Sequence, residues 1–224
     1  MLDANTVIAV LGGTGQEGKA LATRWAKAGY SVVIGSRDPA KAKAAADDIN
    51  TNSGTHRARG TDLNGAATAA DIVVLTVPHA AQLATLKGVK DALAGKILVD
   101  VTVPLVPPKV ARVQLPEGGS AVMQAQALLG DGVKVVSAFQ NVSHDSLAQL
   151  DRPVDCDVLV CGDDKDARET VIALARAGGM RGWHAGTLAN SAATEALTSV
   201  LIFMNIRYKT HGAGIRITGL PDAV

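Results

Sequence analysis

Five short runs of β-branched and aliphatic residues recur along the first part of the chain, and they constrain its fold more than any other feature. The runs are VIAVL (7–11), SVVIG (31–35), DIVVLTV (71–77), KILVDV (96–101) and VKVVSAF (133–139). They are apolar at nearly every position, which is typical of strands buried on both faces in a parallel sheet. Alanine-rich stretches with helical spacing separate them. The sequence therefore predicts an α/β fold in which helices cover a parallel sheet.

The sequence changes character after about residue 140. CDVLVCG (156–162) predicts a strand, the acidic residues of GDDKDARE (162–169) favour a helix start, and RGWHA (181–185) predicts one more short strand. We therefore predict a first domain over residues 1–140 and a small C-terminal α/β domain over residues 141–224.

The C-terminal domain is predicted to end in a long helix over residues 187–212. Apolar side chains recur there at helical spacing, at Leu197, Leu201, Met204 and Tyr208. The length and the apolar face of this segment predict that it packs against the first domain or against a second subunit.

Composition excludes several classes of protein. The net charge of +1 provides no general attraction to nucleic acid or to an anionic membrane, and aromatic residues, at 3%, are too few for base-stacking platforms. The chain has neither a long apolar run nor a signal-peptide pattern at its start. Cys156 and Cys161 have neither redox nor zinc spacing and are expected to be buried, inert thiols. We expect a cytoplasmic protein that acts on small molecules, without a nucleic-acid or membrane partner.

A glycine motif follows the first predicted strand. In VIAVLGGTGQEGKALA, residues Gly13, Gly15 and Gly18 form G-x-G-x-x-G between a strand and a helix, the context that this motif needs. Gly13 is expected to permit the tight turn, Gly15 the close approach of a pyrophosphate, and Gly18 the close packing of helix and strand. The predicted fold is therefore a Rossmann-type doubly wound parallel sheet that binds a dinucleotide at the helix start.

The end of the second strand indicates which dinucleotide is bound. An enzyme specific for NAD has an acidic residue there for the ribose 2′-hydroxyl. Here Ser36 and Arg37 occupy the tip, and Lys41 follows one helical turn later. A guanidinium and a hydroxyl suit a 2′-phosphate, which an acid would repel. Asp38, before Pro39, is expected to be a helix N-cap, so we predict NADP(H).

Prolines follow two of the predicted strands. TVP (76–78) and VTVP (101–104) both fall at carboxyl ends of strands, where the nicotinamide of such a fold lies. Proline stiffens a loop and leaves no N–H to satisfy, so these segments are candidates for an apolar wall beside the ring.

The chain resembles the F420-dependent NADP oxidoreductases. LGGTGQEGKALA, VVIGSRD, VLTVP, VVSAF, VCGDD and NSAATEALT fall in the order of that family. The resemblance covers nearly the whole chain, and it implies homodimers that exchange a hydride between NADPH and the deazaflavin coenzyme F420. It also implies a set of cofactor-binding residues: Thr14, Gly15, Gln16 and Glu17 at the pyrophosphate, Ser36, Arg37 and Lys41 at the 2′-phosphate, and Val77 and Pro78 at the nicotinamide.

Three positions depart from the family pattern. In SAFQNVSH, Gln140 occupies the place of a histidine and Ser143 that of a proline, on the stretch that lines the deazaflavin side. Glu17 places a carboxylate where the family often has an apolar residue. The departures leave the prediction for the nucleotide in place and put the second substrate in question.

The predicted chemistry needs no catalytic side chain, because the two cofactors carry it and the protein orients them. The five histidines lack metal-ligand spacing, and only His79 and His144 lie on segments that can reach the cleft, as candidates for a proton relay. Two alternatives stay open. One is an NADPH-dependent reductase of a flavin, ketone or imine, and the other is a non-catalytic NADP sensor.

Overall fold

The computed structural model describes residues 2–220, and along these residues strands alternate with helices. The strands are β1 (Val7–Leu11), β2 (Ser31–Ser36), β3 (Ala58–Asp62), β4 (Ile72–Leu75), β5 (Ile97–Asp100), β6 (Lys134–Ser137), β7 (Asp157–Gly162) and β8 (Arg181–His184). The α-helices are α1 (Gln16–Lys27), α2 (Pro39–Ser53), α3 (Leu63–Ala69), α4 (His79–Val89), α5 (Ala121–Leu129), α6 (His144–Leu147), α7 (Lys165–Ala177) and α8 (Ser191–Tyr208).

The strands form one sheet in the order β3-β2-β1-β4-β5-β6-β7-β8. Strands β1 to β6 are parallel, β7 is antiparallel to β6, and β8 is parallel to β7. The strand order reverses beside β1, which lies between β2 and β4. The prediction of a doubly wound α/β fold is confirmed, and the reversal opens the crevice at which such folds bind ligands.

The core lies on both faces of the sheet, as the uniformly apolar runs predict. One buried cluster contains side chains of α1, α2 and α7, including Leu21, Trp25 and Ile49. The other contains side chains of α3, α4 and α5, including Leu86 and Val122. Helices therefore cover both faces and leave the ends of the strands as the open surface.

Strand β3 was not predicted from the sequence. Its residues, ARGTD, are mostly polar and partly exposed because it is an edge strand that pairs only with β2. Gly60 permits the close approach of α2, since a Cβ there would lie 2.2 Å from the backbone carbon of Ala42.

The C-terminal part contains the predicted strands β7 and β8 and the predicted helix α7, which begins after the N-cap Asp164. Because β7 pairs with β6, the sheet continues through residue 140. The division into domains 1–140 and 141–224 stays a prediction, and residues 221–224 lie outside the described part.

The last helix is shorter than the predicted 187–212 and differs in its packing. A 3₁₀ turn at Leu188–Asn190 precedes α8, and Lys209 ends the helix in the left-handed conformation with φ of 54°. The inward face carries polar residues such as Glu195, whereas the apolar Met204 and Tyr208 are exposed. In the described structure, this outer apolar face therefore does not pack against the first part of the chain.

Candidate functional site

The glycine-rich turn joins β1 to α1 and allows three close approaches. Gly12 is the left-handed residue of the turn, with φ of 86°, and a Cβ there would lie 2.8 Å from Cγ1 of Val77. Gly13, to which the sequence assigned the turn, instead packs under Ile34. A Cβ on Gly18 would lie 2.4 Å from Oγ1 of Thr76, so this glycine allows close packing of the helix, as predicted.

The start of α1 is open on the side of the turn. Gly15 is the N-cap, and no side chain caps the helix. A Cβ at Gly15 would meet only the carbonyl oxygen of Gly12, at 3.5 Å. The first-turn N–H groups and the positive end of the helix dipole can therefore receive a phosphate.

A groove of about 200 Å³ runs along this turn, and we call it the nucleotide groove. It brings together seven of the predicted cofactor residues: Thr14, Gly15, Ser36, Arg37, Thr76, Val77 and Pro78. Gly13 lies beneath it, Gln16 lines a neighbouring cavity, and Lys41 is exposed outside its walls.

Directly after β2, Asp38 caps a helix, and the neighbouring cation, Arg37, is left without an acidic partner among the described residues. Oδ1 of Asp38 accepts from the N–H groups of Ala40 at 3.0 Å and of Lys41 at 3.3 Å, which confirms the predicted N-cap. Arg37 is exposed, and among residues 2–220 no acidic side chain pairs with it. Its guanidinium is available to an anionic group at the end of the nucleotide groove.

A second cavity, of about 450 Å³, lies on the other side of the start of α1, and we call it the second-substrate cavity. Its walls come from the segment after β5, the loop between β6 and α6, and α8. Its lining includes Glu17, Val101, Val103, Phe139, Gln140, Asn141, Ser143, His144, Asp145, Thr198 and His211. The first turn of α1 thus contributes to both sites, through Gly15 to one and Glu17 to the other.

Comparisons with known proteins agree with this geometry. Residues 7–104 match the family model described as NADP oxidoreductase, coenzyme F420-dependent. The F420-dependent NADP reductase of Methanothermobacter thermautotrophicus is 42% identical over 96% of this chain and 96% of its own length. The chain belongs to the F420-dependent NADP reductase family. The enzyme of that name from Methanocaldococcus jannaschii is 44% identical over 95% of this chain and 98% of its own.

A solved structure from Arthrobacter sp. FB24, provisionally described as an F420-dependent NADP reductase, has the same fold. It superposes with a TM-score of 0.77 and 28% identity over 94% of this chain and 98% of that chain. The reductase family thus accounts for the sheet and for the C-terminal elements together.

The loop after β6 has a strained backbone. Phe139 is buried with φ of 72°, a left-handed conformation that a bulky residue adopts only when its surroundings hold it. Its ring packs edge-on to Trp25, with centroids 6.0 Å apart. Gln140 follows, and its Nε2 donates to the backbone carbonyl oxygen of Asp100 at 2.8 Å. The backbone carbonyl of Gln140 accepts a hydrogen bond from Oγ1 of Thr198. Helix α8 and β5 thereby fix this loop at the mouth of the second-substrate cavity.

The other departure from the family pattern, Ser143, has a structural role. Its Oγ donates to the carbonyl oxygen of His211 at 2.9 Å and accepts from the N–H of Asp145 at 3.2 Å. It therefore caps α6 and holds the segment after α8. In this chain a serine N-cap positions the loop where reductases of the family often have proline.

The structure separates the two candidate histidines. His144 lines the second-substrate cavity, with Nε2 3.3 Å from Oδ1 of Asp145. His79 begins α4 and lines neither the groove nor this cavity. Of these two candidates, His144 is the one placed to contact a second substrate.

Sequence reasoning missed a buried carboxyl on α8. The carboxylate of Glu195 on α8 accepts hydrogen bonds from the N–H groups of Ala121 at 2.7 Å and of Val122 at 3.1 Å. It therefore caps α5 from another helix. Burial raises the pKa of Glu195 to about 7. No local sequence pattern predicts such a cap, because the carboxyl and the helix that it caps are more than 70 residues apart.

Two absences hold for the part of the chain that the structure describes. Over residues 2–220, no group of His, Cys, Asp or Glu is arranged to hold a metal ion. None of the helices described there has the length and apolar character to cross a membrane. Cys156 and Cys161 are free and buried, as predicted.

Proposed function

We propose that the protein transfers a hydride between NADP(H) and coenzyme F420, the reaction expected of its family. The observation that supports this most directly is the shared first turn of α1. A dinucleotide in the nucleotide groove and a planar ring in the second-substrate cavity would meet beside it. The nicotinamide and the deazaflavin ring supply the hydride chemistry, and the protein's part is to hold the two rings together and exclude water.

The residues of the nucleotide groove fit NADP(H). Gly13, Thr14, Gly15 and Gln16 would surround the pyrophosphate at the uncapped helix start. Ser36, Arg37 and Lys41 would bind the 2′-phosphate, and Thr76, Val77 and Pro78 would flank the nicotinamide. Arg37 is exposed and has no acidic partner among the described residues. Its guanidinium would bind the 2′-phosphate and so determine the preference for NADP(H) over NAD(H).

The second-substrate cavity fits a planar heterocycle. Val101, Val103 and Phe139 provide apolar walls, and the buried Gln140 and Asn141 add amide groups to the lining. His144, at the same wall, is the proposed proton relay, whereas His79 has no contact with the cavity that would support that role.

The proposal is tested by mixing the protein with NADPH and F420 and following the visible absorbance of F420. We expect bleaching with NADPH and much less with NADH, and Arg37→Asp should shift the preference towards NADH by tenfold or more. Oxidation of NADPH by a flavin or a carbonyl compound, without any change in F420, would favour the alternative reductase. Binding of NADPH without turnover with any acceptor would favour the sensor.

We also propose a homodimer formed through α8. Its outer face exposes Val200, Phe203, Met204, Ile206 and Tyr208, a contiguous set of large apolar side chains. A monomeric protein rarely exposes such a face. Phe203→Glu should convert a dimer to a monomer in sedimentation velocity, with Lys87→Glu, at an exposed position on α4, as a charge-changing control outside this face.

A domain division near residue 140 and a cytoplasmic location complete the proposal. The net charge of +1 supports the expectation of no nucleic-acid partner, and the two free cysteines are compatible with a reducing compartment. Limited proteolysis that releases residues 1–140 intact would support the division.

A further inference from the structure

Glu17 lies in an unusual position for a charged side chain. It is the second residue of α1, but its side chain lines the second-substrate cavity and not the nucleotide groove. Its Oε1 is buried, and among the described residues it has no hydrogen-bond partner. A carboxyl that is buried without a partner in the protein is satisfied most simply by a ligand.

No cation balances the charge of Glu17 in this cavity. The titratable side chains on the wall are those of His144 and Asp145 from α6 and His211 from the segment after α8, and no lysine or arginine of the described chain lines it. The positive end of α1 favours the ionised form, but burial opposes it and raises the pKa of Glu17 to about 8. The carboxyl is thus mostly protonated at neutral pH and can donate a hydrogen bond.

Several other polar groups of the wall have donors that are committed to the protein. Nδ2 of Asn141 donates to the carbonyl oxygen of Asp157 at 2.7 Å, and Nε2 of Gln140 donates to that of Asp100. Since the acceptors are carbonyl oxygens, the two amides cannot be flipped, and their oxygens are left buried without partners. The hydroxyls of Ser143 and Thr198 also donate to backbone carbonyls. The amide oxygens offer acceptors, and the Glu17 carboxyl is an uncommitted donor.

We propose that Glu17 is a binding residue for the second substrate and that its carboxyl O–H donates a hydrogen bond to an acceptor on the polar edge of the deazaflavin ring. This inference rests on the proposed function. A ring edge that alternates carbonyl and N–H groups matches a wall where a protonated carboxyl lies beside unpartnered amide oxygens. The carboxyl at position 17 thereby supplies a polar contact in the cavity.

The experiment measures the dissociation constant of F420 without NADP(H), by fluorescence titration between pH 6 and 10. Glu17→Gln retains an N–H donor and cannot ionise, so the ratio of parent to variant affinity cancels ionisation of the ligand and of the histidines. We expect a constant ratio below pH 8 and a fall of about tenfold per pH unit above it. Glu17→Leu should bind F420 about five- to tenfold more weakly at pH 7. Glu117→Gln, at an exposed glutamate, should follow the parent at every pH.

Two further readouts separate this inference from the proposed function. The carboxyl carbon of Glu17 in the free protein should titrate near pH 8 by ¹³C NMR, and the affinity for NADP⁺ should be the same in all variants. If the parent binds and reduces F420 while both Glu17 variants match it at every pH, the inference is overturned and the function stands. If the parent binds NADP⁺ but not F420, the proposed function itself is wrong.

Discussion

Arg24 holds the C-terminal part of the chain against α1, and its replacement by methionine should be strongly destabilising. Arg24 is 7% exposed and donates to five backbone carbonyls. The three shortest of these hydrogen bonds run from Nε to Leu147 at 2.7 Å, from Nη2 to Gln149 at 2.7 Å and from Nη1 to Gly178 at 3.1 Å. Hydrogen bonds from a charged donor stabilise by about 1.5 kcal/mol or more each, so their gross contribution is about 4 to 5 kcal/mol.

Part of that contribution is offset, because burial of the guanidinium is unfavourable and lowers the pKa of Arg24. We expect Arg24→Met to lose about 3 kcal/mol of unfolding free energy, which corresponds to a fall in Tm of about 6 to 12 °C. Urea denaturation and a thermal scan measure the loss. Lys27→Met is the matched control, since Nζ of Lys27 donates to Leu150 from an exposed position on the same helix and should contribute less than about 1 kcal/mol. Equal losses in the two variants would refute the reasoning.

The remaining predictions concern a glycine pair and the charge at position 17. Gly18→Ala should lose about 1 to 3 kcal/mol of stability, because its Cβ would overlap Thr76. Gly88→Ala, with open space around it in α4, should gain up to about 1 kcal/mol, and the reverse order in urea denaturation would contradict this. Glu17→Gln should match the parent in stability near pH 4 and exceed it by about 2 to 4 kcal/mol at pH 9. The raised pKa of Glu17 means that the parent loses stability as the pH rises from 4.5 to about 8, with no further loss above that; parallel pH profiles would contradict this.

The sequence predicts the central strands because burial on both faces leaves them uniformly apolar. Strand β3 does not follow this pattern, because a strand at the edge of the sheet needs no apolar run. Its pairing with β2 is seen only in the structure. The glycine motif and the Asp38 cap are local features, and local chemistry determines both.

The orientation of side chains at the site was harder to predict. Glu17 follows Gly15 of the nucleotide groove by two residues, yet its side chain lines the second-substrate cavity. Helix α8 shows the same limit. Its inward face carries Ser191, Thr194 and Glu195, which find polar partners on α5 and β6, so an apolar pattern identified the helix but not its buried face.

The central claim is that a hydride passes directly from the nicotinamide to the deazaflavin while both are bound on this chain. Mass spectrometry tests it most directly, with NADPH that carries deuterium at both C4 positions. The reduced F420 should gain one deuterium on ring carbon from labelled NADPH, and none on carbon when unlabelled NADPH is used in D₂O. Reduced F420 whose ring carbon carries deuterium from the solvent, or none from labelled NADPH, would contradict the account.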